Sequence, residues 1–120
     1  MNLPPHLTIQ RDHLHIGGHD CVSLAGKYGT PLYVTSEDRI CGHFQDYKNA
    51  LSARYDKVQV LFAAKANGNL AVMRALAKLG AGADVFSGGE LALALEAGMP
   101  AKKLLFNGSS KTKADLALAV

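Results

Sequence analysis

Residues 58–86 read VQVLFAAKANGNLAVMRALAKLGAGADVF. The stretch opens on an apolar run, Val58 to Ala63, and closes on a second one, Ala83 to Phe86, both rich in the β-branched or aromatic residues that suit strands. Between them Leu70 to Leu79 reads as a helix. Its start is marked by Asn69, whose side chain can accept a hydrogen bond from an orphan N-terminal amide, and its end by Gly80 after Lys78-Leu79. Strand, helix and strand in this order predict a parallel pair joined by a crossover helix.

The same rhythm extends outward in both directions. Leu32 to Thr35 and Lys103 to Phe106 read as further strands, and Glu37 to Arg54, Glu90 to Ala97 and Lys113 to the chain end as further helices. Ser36, Ser87 and Thr112 stand where N-caps are needed, and Ser87-Gly88-Gly89-Glu90 has the spacing of a capping box. Gly98 before Met99-Pro100 closes a helix in the same way as Gly80. The pattern is βαβαβαβα and the class α/β, with a barrel and an open sheet both compatible. A closed eight-unit barrel takes about 250 residues, whereas four units fit here and the last helix reaches Val120 without a cap. The expectation is a truncated chain whose functional protein is longer, because four units alone leave apolar edges and faces uncovered.

Residues 1–30 break the rhythm. Leu7 to Gln10 and His13 to Ile16 read as a polar-faced hairpin, and Val22 to Tyr28 as a short amphipathic helix. This segment is expected to lend a strand to a separate domain, so the chain divides into 1–30 and 31–120.

Composition narrows the function classes. With 120 residues, 48% hydrophobic and 19% charged, the chain can bury a core and is too apolar for a disordered segment. The net charge of +3 comes from scattered basic residues, and the cluster Lys102, Lys103, Lys111 and Lys113 lacks interleaved aromatics, which reads as solvated surface rather than a nucleic-acid track. No segment has the h-region of a signal peptide or the length of a membrane span, so a cytoplasmic protein is expected. Cys21 and Cys41 read as small, buried, reduced residues. His6, His13, His15, His19 and His43 have no carboxylate or cysteine at zinc-like spacing, and no metal is expected.

The chemistry concentrates at Leu61-Phe62-Ala63-Ala64-Lys65-Ala66-Asn67, a strand ending in a lysine at the end where barrels keep their active sites. A lysine amine can attack an aldehyde, and Ala63, Ala64 and Ala66 leave room beside the strand for a flat aromatic cofactor. On spacing alone, a strand-end lysine reaching solvent is the commoner explanation. Asp84 lies on the next strand between Gly82-Ala83 and Val85-Phe86, where an acid needs a partner: a group near Lys65, or backbone amides of the adjacent loop. Glu90 ranks below it, having a sufficient task as a capping residue. Gly88-Gly89 at a helix start could hold an anion, but no GxGxxG, P-loop or nucleophile-elbow pattern occurs.

Three stretches, taken in order and spacing, go further: Leu24-Ala25-Gly26-Lys27-Tyr28-Gly29-Thr30-Pro31-Leu32-Tyr33-Val34, Phe62-Ala63-Ala64-Lys65-Ala66-Asn67, and Gly82-Ala83-Asp84-Val85-Phe86-Ser87-Gly88-Gly89-Glu90-Leu91. On these the chain resembles the diaminopimelate decarboxylases, of the alanine-racemase-like, fold-type III group of pyridoxal 5'-phosphate (PLP) enzymes. The resemblance implies the N-terminal half of a PLP-binding (β/α)8 TIM barrel. A strand segment belonging to a C-terminal β-domain, missing here, precedes that half. It also implies a homodimer that completes each active site, with an amino acid as the small-molecule substrate and neither nucleic acid nor membrane as partner. By matching position, Lys65 corresponds to the PLP lysine, Ala63 to a residue lining the cofactor, and Asp84 to an acid near both. Glu90 matches a family acid.

The activity so implied is decarboxylation of meso-2,6-diaminopimelate to L-lysine, in lysine biosynthesis, with this portion inactive alone. The family's phosphate loop, pyridine-nitrogen acid, substrate arginine region and cross-dimer cysteine match nothing here, and Cys21 and Cys41 lie too early to be that cysteine. The competing expectations are a sister decarboxylase acting on ornithine, arginine or carboxynorspermidine, and a non-catalytic PLP-binding barrel, against which the N-terminal hairpin argues.

Overall fold

The computed structural model describes residues 3–120, which fall into two compact units, one up to Arg39 and one from Ile40 to Val120.

The first unit is a small antiparallel sheet with one helix. Strands β1 (Leu7–Gln10), β2 (His13–Ile16) and β3 (His19–Asp20) lie in the order β1-β2-β3. Two-residue turns join them, with positive φ at Arg11 and Asp12 and again at Gly17 and Gly18, the conformation that lets a tight hairpin follow strand twist. Helix α1 (Cys21–Tyr28) follows at once. Its N-cap Asp20 accepts hydrogen bonds from the Val22 amide at Oδ1 (3.0 Å) and from the Ser23 hydroxyl at Oδ2 (2.9 Å), and His13 Nδ1 lies 3.1 Å from that same Oδ2. The expected hairpin and helix are present, and β3 is an addition.

The expected strand at Leu32–Thr35 does not form. These residues are extended, but among the described residues no ladder partner pairs with them, and Tyr33 is 99% exposed. β-Branched and aromatic content favours a strand only where a neighbouring backbone supplies hydrogen bonds.

The second unit carries the repeat. Helix α2 (Glu37–Ser52) leads into it and buries Phe44. Strand β4 (Leu61–Ala63), helix α3 (Leu70–Lys78), strand β5 (Gly82–Val85), helix α4 (Gly88–Glu96), strand β6 (Leu104–Phe106) and helix α5 (Lys113–Ala119) then alternate. The three strands are parallel in the order β4-β5-β6. β4 is shorter than the apolar run suggests because its partner starts late: Gly82 donates to the Val60 carbonyl at 3.1 Å, and residues before Gly82 belong to the close of α3.

Register sorts the strand residues onto two faces, since paired residues of a parallel sheet point the same way. Phe62, Ala83, Val85, Leu104 and Phe106 share one face and pack into a core with Val72, Met73, Leu76, Leu91, Ala94 and Met99. Ala83, Val85, Met73 and Ala94 have no exposed surface. The opposite face carries Leu61, Ala63, Asp84 and Leu105, and is partly open, with Leu105 51% exposed. A sheet covered by helices on one face and open on the other has the two-sided character of a barrel wall. Cys21 and Cys41 are free thiols and are half-buried rather than fully buried.

Candidate functional site

The carboxyl ends of β4 and β5 bring the expected residues together. Ala63 and Asp84 are direct register partners on the open face of the sheet. The chain leaves β4 through a single 3-10 turn, Ala64–Ala66, in which Ala64 is buried and Lys65 exposed. Local hydrogen bonds fix this exit. The Asn67 amide donates to the Ala64 carbonyl at 3.2 Å, and the Asn67 side chain accepts from the Asn69 amide at 3.0 Å. Asn69 in turn caps α3 through the Ala71 amide at 2.9 Å. Lys65 is therefore held between the end of a core strand and a capped helix.

The Lys65 ammonium nitrogen lies 4.1 Å from the centroid of the Phe86 ring, a distance at which the ring face attracts a cation. Asp84 Oδ1 is shielded from solvent and accepts no hydrogen bond from the described residues. A buried acceptor without a donor costs about 1–3 kcal/mol, so this oxygen is an acceptor in want of a donor on the open face.

The start of α4 differs from expectation. Ser87 caps it, its hydroxyl accepting from the Glu90 amide at 3.2 Å. The Glu90 carboxylate does not complete a capping box at Ser87; it accepts from the Phe86 amide at 2.7 Å, one residue further back. The Gly88 amide, a candidate anion donor, is taken by Asp115 Oδ1 at 3.0 Å. That carboxylate also forms a capping box with Thr112 at the start of α5. The Thr112 amide, the Thr112 hydroxyl and then the Gly88 amide hold the Asp115 carboxyl below the usual carboxylate range. The anion at this helix start is thus a side chain of the same chain, 27 residues away.

Sequence reasoning missed two parts of this arrangement. The aromatic at 86 is legible as the end of a strand, but its stacking on Lys65 depends on the β4–β5 register. Asp115 is legible as a cap and carries no sign of its second task. Among the described residues no three His, Cys, Asp or Glu gather as a metal site would require, and no helix is long and apolar enough to cross a membrane.

A lysine amine, an unpaired acid and small residues at the carboxyl ends of parallel strands suit covalent capture of an aldehyde cofactor. Residues 37–120 match the pyridoxal-dependent decarboxylases over their pyridoxal binding domain, and the chain belongs to this family. The cofactor of that domain is pyridoxal phosphate.

The particular relatives are consistent with one another. The diaminopimelate decarboxylase of Methanocaldococcus jannaschii is 44% identical to 95% of this chain, and that of Bacillus subtilis 40% identical to 92%. The chain spans only 27% and 25% of the lengths of these two proteins. The solved structure of the M. jannaschii diaminopimelate decarboxylase with L-lysine superimposes with a TM-score of 0.87 at 43% identity, over 96% of this chain and 27% of that one. The lysine decarboxylase of Selenomonas ruminantium is more distant, with a TM-score of 0.67 at 26% identity over 82% of this chain and 25% of that one. The α/β unit described above is accordingly part of the fold-type III decarboxylase barrel.

The residues present fit the family's cofactor. Asp84 offers a shielded acceptor without a donor, Ala63 beside it leaves the open face free of bulk, and Lys65 supplies an exposed amine at the same sheet end.

Proposed function

We propose that the gene product carrying this chain decarboxylates meso-2,6-diaminopimelate to L-lysine, with PLP held covalently by Lys65. The single observation that carries the assignment of residues is the register pairing of Ala63 with Asp84, two residues before Lys65, on the open face of a parallel sheet. Ala63 lines the cofactor and keeps the sheet surface flat enough for an aromatic ring. Asp84 accepts a hydrogen bond from a donor arriving on that face, which satisfies an oxygen otherwise shielded and unpaired. Lys65 binds the cofactor and releases it to the amine of the substrate, its backbone fixed by the Asn67 and Asn69 hydrogen bonds. When bound, pyridoxal phosphate accommodates the electron pair left behind as the substrate carboxylate departs as carbon dioxide.

The choice of substrate rests on the relatives: identity is 44% to a diaminopimelate decarboxylase and 26% to a lysine decarboxylase. The domain assignment is residues 1–30 to a β-domain and 31–120 to the first half of the barrel, supported by the change from an antiparallel to a parallel sheet. Assembly as a cytoplasmic homodimer is supported by the family resemblance. The test is a substrate panel with the gene product. Release of carbon dioxide from meso-diaminopimelate, with lysine as product, is expected; release from ornithine, arginine or carboxynorspermidine but not from diaminopimelate would overturn the substrate assignment.

A further inference from the structure

We propose that Phe86 is a positioning residue that sets the reactivity of Lys65. Its ring offers the ammonium a resting place, which the amine must leave before it captures an aldehyde. The inference rests on the reading of Lys65 as the PLP lysine and goes beyond it by assigning tasks to Phe86 and Glu90.

Three observations carry it. The Lys65 nitrogen stands 4.1 Å from the Phe86 ring centroid, and no carboxylate among the described residues pairs with that lysine. The Phe86 ring is half-buried and lies outside the core cluster, where Phe62 and Phe106 do pack, so core packing does not account for an aromatic here. The backbone of Phe86 is fixed from both sides. Its amide donates to Glu90 Oε2 at 2.7 Å, and its carbonyl is approached so closely by Gly108 that a Cβ on Gly108 would overlap it. Glu90 thus holds Phe86, and Phe86 holds Lys65.

The ring face attracts the ammonium and has no such attraction for the neutral amine. Capture runs through that neutral form. The ammonium gives one proton to water, the freed lone pair forms a bond from Nζ to the aldehyde carbon, and the aldehyde oxygen leaves as water with the two remaining nitrogen hydrogens. A contact that favours the charged starting state slows this step, and at a partly exposed site its strength corresponds to roughly a two- to fivefold change in rate.

The experiment compares the parent gene product with Phe86→Leu, Phe86→Met and Phe86→Tyr, using variants whose melting temperatures match the parent. Lys65 modification is followed in time by peptide mass spectrometry with two probes, PLP trapped by borohydride and trinitrobenzenesulfonate, an amine reagent that needs no cofactor site. Ring loss in Leu or Met is expected to raise both rates roughly two- to fivefold, while Tyr, which keeps the ring, stays at the parent rate. Merely structural damage would lower the PLP rate instead. Equal or slower modification in Leu and Met, or Tyr behaving like Leu, overturns the inference. Trinitrobenzenesulfonate rates that respond to the ring without any PLP adduct on Lys65 would support the Phe86 contact and remove the cofactor reading alone.

Discussion

Replacing Gly82 by alanine should break the sheet at the strand that carries Asp84. A Cβ at this position would overlap the Lys103 carbonyl oxygen and stand 2.6 Å from Leu61 Cδ2 and 2.9 Å from Lys103 Cβ. The leucine methyl can turn away. The carbonyl cannot, because Lys103 is tied by its amide to the Pro100 carbonyl at 2.8 Å and the next residue, Leu104, is in register with Ala83. Overpacking costs typically about 1–3 kcal/mol, and contact with fixed backbone puts this case at the upper end. About 3 kcal/mol is roughly a hundredfold change in the folding equilibrium. The assay is urea unfolding followed by circular dichroism, with Gly42→Ala as the control. Gly42 lies within α2, a Cβ there meets nothing within 4 Å, and alanine should stabilise that helix by about 0.5–1 kcal/mol. A Gly82→Ala protein within about 0.5 kcal/mol of the parent, the usual range for harmless surface substitutions, would refute the close approach of β5 and β6 on which the geometry of the site depends.

Two further outcomes are expected. Met73 in α3 has no exposed surface, so Met73→Ala should cost about 2–5 kcal/mol in the same unfolding assay; a loss below about 1 kcal/mol would mean that the helix does not pack as described. The Asp20 carboxyl is lowered from 3.8 to about 2, first by the His13 ring, against partial desolvation, and further by the Ser23 hydroxyl and the Val22 amide. Because the folded value lies below the unfolded one, its contribution to the first unit is complete above the unfolded value and fades as the pH falls toward about 2. A carboxyl titration by NMR with its midpoint near 4 would contradict the arrangement around Asp20.

The local signals of the fold were legible because they are local. Asn69, Ser87 and Thr112 cap the helices they precede, β4 and β6 lie inside the apolar runs that announce them, and β5 is shifted by one residue, starting at Gly82 and ending at Val85. What stayed hidden depends on partners distant in sequence. Leu32–Thr35 has the composition of a strand and lacks a ladder among the described residues. Glu90 has the spacing of a capping residue yet bonds the Phe86 amide, because the strand end brings that amide within reach. Asp115 closes the start of α4 from 27 residues away. For the site, the spacing of residues alone leaves Lys65 a strand-end lysine reaching solvent, and it is the resemblance of three stretches to a known family that points to Lys65, Ala63 and Asp84. Only the β4–β5 register reveals that Ala63 and Asp84 are neighbours and that Phe86 lies under the lysine.

The most direct test of the central claim is borohydride reduction of the gene product loaded with PLP, followed by peptide mapping of the modified lysine. The expected result is a reduced cofactor adduct on Lys65, with loss of the bound-cofactor absorption band in Lys65→Ala. An adduct on another lysine, or none in folded protein saturated with PLP, would contradict the assignment.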